Sequence, residues 1–231
     1  MVHYINLESV ELVAEGLKEL REKVVFVGGA VLGLYVDDPS VDTARMTKDI
    51  DLTIELANLG HWATLQERLT ELGFSPNPEE LVICRYFYQG IQVDIMPASD
   101  SHFGPSNVWY LPGFQYTIPF VLRNRLSIRL LSLPYFLATK FTAFHSRGGD
   151  PRSSHDFEDI IFLTDNSSNL PAVILEADPT VRNYLISEFE KIWANPYRDE
   201  IVGCHLLPWN VDARLEIVLE KIAAIIGSTQ S

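Results

Sequence analysis

Hydrophobic positions in the first 130 residues change period several times, and each change marks an element. Val10, Val13, Leu17 and Leu20 recur at helical spacing after Glu8-Ser9, which predicts an amphipathic helix over 7–22. Val24 to Val27 is a β-branched and aromatic run that stops at Gly28-Gly29, as a short buried strand does. Ala30 to Tyr35 predicts a helix after the glycine turn, and 36–45 a polar loop with the turn signal Asp38-Pro39-Ser40. A second strand is expected over 49–56. A helix over 59–72 places Leu59, Trp62, Leu65, Leu69 and Leu72 on one side and ends at Gly73. The runs 81–88 and 91–96 predict a hairpin joined at Gln89-Gly90. From 97 to 119 Gly, Pro and aromatic residues break any period, so a loop with one short helix is expected. The stretch 121–131 alternates weakly, and as a strand it would put Arg123, Arg125 and Arg129 on one face.

After Pro134 the pattern turns wholly helical. Helices are expected over 135–144, with a proline in the first turn, and over 155–163, 180–194 and 210–226. No repeat or low-complexity tract interrupts them. The predicted organisation is an α/β (α+β) protein: a mixed sheet with flanking helices over 1–132, then a helical part over 133–231.

Composition narrows the function. The 231 residues are 47% hydrophobic and 21% charged, enough to bury a real core. No apolar run reaches the roughly 18 residues of a membrane span, and the N-terminus lacks the basic and apolar succession of a secretory leader. A cytoplasmic protein without membrane partners is expected. Cys84 and Cys204 stand far apart in apolar surroundings, which predicts free buried thiols, and no Cys/His spacing suggests zinc. The net charge of −13 excludes general phosphate neutralisation, so any nucleic-acid contact needs a local basic patch.

The chemistry concentrates in three acids. Asp49 and Asp51 are two positions apart on a predicted strand and so share a face. Asp94 lies between Val93 and Ile95 on a later one. An ionised carboxylate among apolar strand residues is costly unless something pairs it. Divalent cations bridged to a triphosphate would pair all three; the alternative is that they cap loops at strand ends. Gly28-Gly29 upstream exposes backbone N–H groups suited to phosphate, which favours phosphoryl-transfer chemistry.

A strand ending in Gly-Gly, a helix, Asp-x-Asp on the next strand and a later third acid resemble the polymerase-β-type nucleotidyltransferases. The stretches GGAVLGLY, ARMTKDIDL and LATKFTAFHSRGG…HDFEDIIFL are similar to the AbiEii-like nucleotidyltransferases, toxin halves of bacterial toxin–antitoxin pairs. The resemblance covers roughly 24–163. It implies a nucleotidyltransferase-type mixed sheet and transfer of NMP from an NTP to a hydroxyl. It implies that Asp49, Asp51 and Asp94 hold Mg2+, as two ions, with Asp94 also accepting the hydroxyl proton. Gly28 and Gly29 would cradle the triphosphate at a helix N-terminus, and Lys140 would reach the phosphates. Asp156 and Asp159 would orient that lysine or contact the nucleotide, and Arg45 and Thr47 complete the nucleotide-binding set. The chain departs from the family pattern in a longer interval from Gly29 to Asp49 and in Ala30, which stands where a hydroxyl residue is often found.

The acceptor implied is tRNA or another RNA, and the partner a cognate antitoxin. Two alternatives stand beside this: transfer to a small molecule such as an aminoglycoside, which the acidic balance favours, and a non-catalytic binding protein on a degenerate fold. Other side chains have plainer readings. Lys140 lies amid Phe136, Leu137, Phe141 and Phe144, where the less favoured reading is an ordinary snorkelling lysine. The three arginines line a groove or an ordinary solvated surface. His145 and His155 read as structural, and Trp109, Tyr110, Phe114 and Tyr116 as loop packing.

Overall fold

The computed structural model describes residues 5–37, 46–56, 58–76, 83–99 and 106–227. It divides into two compact units, one built on residues up to 33 and 45–132, the other on 34–44 and 133–231.

The first unit is a seven-stranded mixed sheet. Its strands are β1 (Val24–Val27), β2 (Asp49–Ile54), β3 (Ser75–Pro76), β4 (Arg85–Tyr88), β5 (Ile91–Pro97), β6 (Thr117–Val121) and β7 (Ser127–Leu131), in the order β3-β4-β5-β2-β1-β7-β6. β1 runs antiparallel to β2 and parallel to β7, and β2 is parallel to β5. All four residues of β1 are buried, as expected of a central strand read as a continuous apolar run. Helices α1 (Leu7–Gly16), α2 (Leu59–Glu71) and α3 (Tyr110–Gly113) accompany the sheet. Asn6 caps α1, accepting from Ser9 N at 2.9 Å, and Asn58 caps α2 by accepting from His61 N. Val10, Val13, Trp62, Leu65 and Leu69 deliver the apolar stripes to the core.

The chain departs from its local pattern at several places. The helix expected over 7–22 ends at Gly16; Lys18 takes a positive φ of 50°, and 18–22 continue as a 3-10 helix. Gly16 is fixed by packing, because a Cβ there would meet the Tyr88 ring at 2.4 Å. The element after Gly28 is also a 3-10 helix, Gly29–Tyr35. The stretch 121–131 is not one strand. Arg125 at φ 68° turns the chain between β6 and β7, and Leu122 N pairs with Leu126 O across that turn. Arg123 and Arg125 therefore sit in the turn, while Arg129 on β7 donates to Glu22 O and Thr117 Oγ1 and lies over the Phe114 ring. The strand expected over 81–88 is reduced to β4, with 83–84 in a turn and 81–82 outside the described residues.

The second unit is helical: α4 (Leu133–Arg147), α5 (His155–Asn166), α6 (Leu170–Leu175), α7 (Pro179–Ala194), α8 (Arg198–Gly203) and α9 (Val211–Ile226). Two short helices, α6 and α8, carry too few residues to register a period and were not expected. α4 packs on α5 and α7, and α9 on α5, α6 and α7. Phe136, Leu137, Phe141, Ile160, Leu185, Phe189 and Ile222 make the core. Lys221 donates to the carbonyls of Thr164, Asp165 and Ser167 at 2.8–3.0 Å, placing a cation where the C-terminal end of α5 leaves them unmatched. Residues 34–37 belong to this unit: Tyr35 stacks on Phe136 at 4.4 Å, and the Asp37 carboxylate accepts from Ser168 N and Oγ.

Among the described residues no helix is long and apolar enough to cross a membrane. Both cysteines are free, but only Cys84 is partly covered; Cys204 is exposed, contrary to the expectation of two buried thiols.

Candidate active site

The site in the first unit follows from strand register. β2 and β5 pair in parallel so that Asp49 lies opposite Gln92 and Asp51 opposite Asp94. Alternation then puts all four side chains on one face, while Ile50, Leu52, Val93 and Ile95 bury on the other. Asp49, Asp51 and Asp94 each bring a carboxylate oxygen within 4.8 Å of the others. β1 ends beside this cluster, since Val27 is the partner of Asp51, and Gly28 follows with φ 72°. A Cβ on Gly28 would lie 1.9 Å from Asp51 Oδ2. The glycine is thus required twice, by its left-handed backbone and by the carboxylate pressed against it.

Three carboxylates at such separations repel. Two like charges about 5 Å apart cost roughly 3 kcal/mol at an effective dielectric of about 20. The surroundings offset this in part. Thr47 Oγ1 donates to Asp49 Oδ1 at 2.8 Å. Arg85, the direct cross-strand partner of Asp94, forks onto it, with Nε to Oδ1 at 2.9 Å and Nη2 to Oδ2 at 2.8 Å. The Gln92 amide lies between the two systems. It reaches Asp49 Oδ2 at 3.5 Å, and with its ends exchanged it accepts from Arg85 Nε and Nη2 at 3.1 Å. Burial, then the negative charges of Asp94 and Asp51, push the Cys84 thiol pKa above its ordinary value, so the field of the acids extends to this neighbour. The donor set is all hard oxygen, held close on rigid strands, and fits a hard divalent cation such as Mg2+ rather than zinc.

The second unit gathers another predicted group. Lys140 on α4 is 6% exposed, and its Nζ lies 2.6 Å from Asp159 and 3.8 Å from Asp156 on α5. Asp156 also accepts from Arg147 Nη1 at 2.5 Å. Spacing of three on α5 brings both acids to one face, and Ser154 caps that helix by accepting from Phe157 N. The lysine is therefore not the snorkelling side chain of the plainer reading; its ammonium is buried in an ion-pair network.

The structure thus brings Gly28, Thr47, Asp49, Asp51 and Asp94 together in one unit, and Lys140, Asp156 and Asp159 in the other. Gly29 opens the buried start of the 3-10 helix. Arg45 lies outside the described residues. His145 pairs with Glu188 and His155 with Glu158, consistent with structural roles. Trp109 is buried in the irregular stretch and Phe114 lies under Arg129, which is loop packing. Sequence reasoning passed over Arg85 and Gln92. The signal was available: Gln89 and Gly90 take φ 50° and 83°, a two-residue turn, so pairing counts back from Tyr88–Ile91 to Arg85–Asp94.

Among solved structures, a nucleotidyltransferase-like protein from Paracoccidioides brasiliensis described as antigenic aligns over 93% of this chain and 95% of its own, with a TM-score of 0.50 and 16% identity. At that identity the likeness speaks for the fold, a nucleotidyltransferase-like one. Comparison with curated protein sequences finds no match. Residues 12–201 match the family described as nucleotidyl transferase AbiEii toxin, Type IV toxin–antitoxin system. With a mixed sheet, a glycine turn and paired strand acids all on the matched segment, the chain belongs to the AbiEii nucleotidyltransferase toxin family.

Proposed function

We propose that the protein transfers NMP from a nucleoside triphosphate to a hydroxyl of RNA, most simply a tRNA 3′ end, using Mg2+ held by Asp49, Asp51 and Asp94. The supporting observation is the convergence of these carboxylates within 4.8 Å on one sheet face, against a glycine turn that leaves no room for a Cβ. Magnesium there would neutralise charge developing on the triphosphate. The acceptor oxygen forms a bond to the α-phosphorus, the bond to the bridging oxygen of the β-phosphate breaks, and pyrophosphate leaves with the electron pair. Asp94 takes the proton of the attacking hydroxyl. Backbone N–H groups of the Gly28–Gly29 turn orient phosphate oxygens. Contact of Lys140 with the triphosphate is part of the same proposal and rests on the family resemblance; Asp156 and Asp159 orient that lysine, to which both lie close.

The test uses labelled NTPs, Mg2+ and total tRNA. Label should pass to RNA with the wild-type protein and not with Asp49→Asn or Asp51→Asn protein of unchanged melting temperature. Label transfer that persists in both variants would overturn the assignment. The net charge of −13 favours a second reading, a cationic small-molecule acceptor. Labelling of an aminoglycoside in preference to RNA in the same assay would select it.

A further inference from the structure

Arg85 is a cationic group seated on the acidic cluster, and the proposed transfer gives it no role. It stands opposite Asp94 in the β4–β5 ladder, and both its contacts to Asp94 are of full hydrogen-bond length. The Asp94 side chain is 12% exposed and that of Arg85 24%, so solvent screens the pair little. A guanidinium fork on a carboxylate is a directional, charge-matched contact that fixes the carboxylate plane as well as neutralising it. It also takes up one lone pair on each oxygen, and these are directions a divalent cation needs. With its amide ends exchanged, Gln92 accepts from the same guanidinium at 3.1 Å.

We propose that Arg85 is a positioning residue, a resident counter-cation that holds Asp94 in place before the divalent cation arrives and competes with that cation for Asp94. This rests on the metal reading of the triad. Loading the site with a divalent cation weakens the fork, because the total charge that the three carboxylates can match is limited and Asp94 cannot give both oxygens to each partner. Arg85 thereby sets how tightly the site holds metal: a stronger grip on Asp94 means a weaker metal site.

The experiment is Mn2+ binding to the nucleotide-free protein, followed by the loss of free-ion paramagnetic signal. Arg85→Met should tighten Mn2+ binding about tenfold. Arg85→Lys keeps the charge but replaces the fork by a point charge, and should tighten binding two- to fivefold. In activity assays both variants should lower kcat while reaching half-maximal rate at less Mn2+, a split that a merely structural role does not produce. A measurement on the unaltered chain covers the case in which Arg85→Met fails to fold. The Arg85 Nε–H resonance, identified by its loss in Arg85→Lys protein, should be protected from exchange without Mg2+ and lose that protection at saturating Mg2+. Equal Mn2+ affinity in wild-type and variant proteins, or an Nε–H signal indifferent to Mg2+, overturns the inference and leaves the metal site standing. Absence of Mn2+ binding in wild type and variants alike overturns the metal reading itself.

Discussion

Gly28→Ala gives the sharpest test of how the candidate site is built. The residue has φ 72°, where an alanine costs about 1–2 kcal/mol. Its new Cβ would stand 1.9 Å from Asp51 Oδ2, 2.7 Å from Cγ and 2.8 Å from Cβ. Relief requires either the end of β1 or the Asp51 carboxylate to move by roughly 1 Å, and overpacking of this kind adds about 1–3 kcal/mol. The stability loss should therefore total roughly 2–5 kcal/mol, read as a lower midpoint in urea unfolding. A displacement near 1 Å at reacting groups lowers rate on the order of 100-fold. Nucleotide transfer and Mn2+ affinity should both fall, the first by at least that factor. Gly33→Ala is the control, since a Cβ there meets nothing within 4 Å. Gly28→Ala protein with activity and metal affinity within threefold of wild type would refute the argument that Asp51 is held against this turn.

Three further outcomes are expected. Gly16→Ala drives a Cβ into the Tyr88 ring, which cannot swing away while stacked on Phe74 at 4.4 Å; a loss of about 1–3 kcal/mol should shrink in the Gly16→Ala/Tyr88→Ala double variant, and additivity would refute the collision. Lys140→Met removes the buried cation from fully buried Asp159 and should destabilise by about 3–5 kcal/mol, much of it regained in Lys140→Met/Asp159→Leu, as thermal melts will show. Hydrogen bonds from the Ser168 hydroxyl and backbone hold the Asp37 carboxyl below its ordinary pKa of 3.8. The unfolded chain then takes up that proton first as pH falls, so Asp37 contributes stability above pH 3.8 that is lost as pH drops through the lowered value. Urea midpoints of wild-type and Asp37→Asn proteins should differ at about pH 6 and converge as the pH falls through the lowered value; a constant difference would refute it.

How much was legible in the chain depends on the range of the interaction concerned. The apolar run of β1, the i, i+2 spacing of Asp49 and Asp51 and the turn at Gln89-Gly90 are local properties, and each appears where the residues put it. Local pattern could not distinguish α from 3-10 geometry over 29–35. Nor could it see the turn at Arg125, where no glycine or proline marks the left-handed residue. The single face that one continuous strand would give the three arginines therefore does not exist.

The residue types themselves determined that acids and glycines capable of phosphate and metal chemistry lie on strands and at a strand end, because strand alternation and turn preference act over a few bonds. Only the folded sheet decided that β2 and β5 align in parallel with Asp51 opposite Asp94, that Asp51 closes against Gly28, and that Arg85 reaches Asp94. Parallel register between strands some 40 positions apart is set by side-chain packing on the buried face, where Ile50, Leu52, Val93 and Ile95 lie, and a slip of one residue in either strand would send that strand's acids to the other side of the sheet and part Asp94 from Asp49 and Asp51.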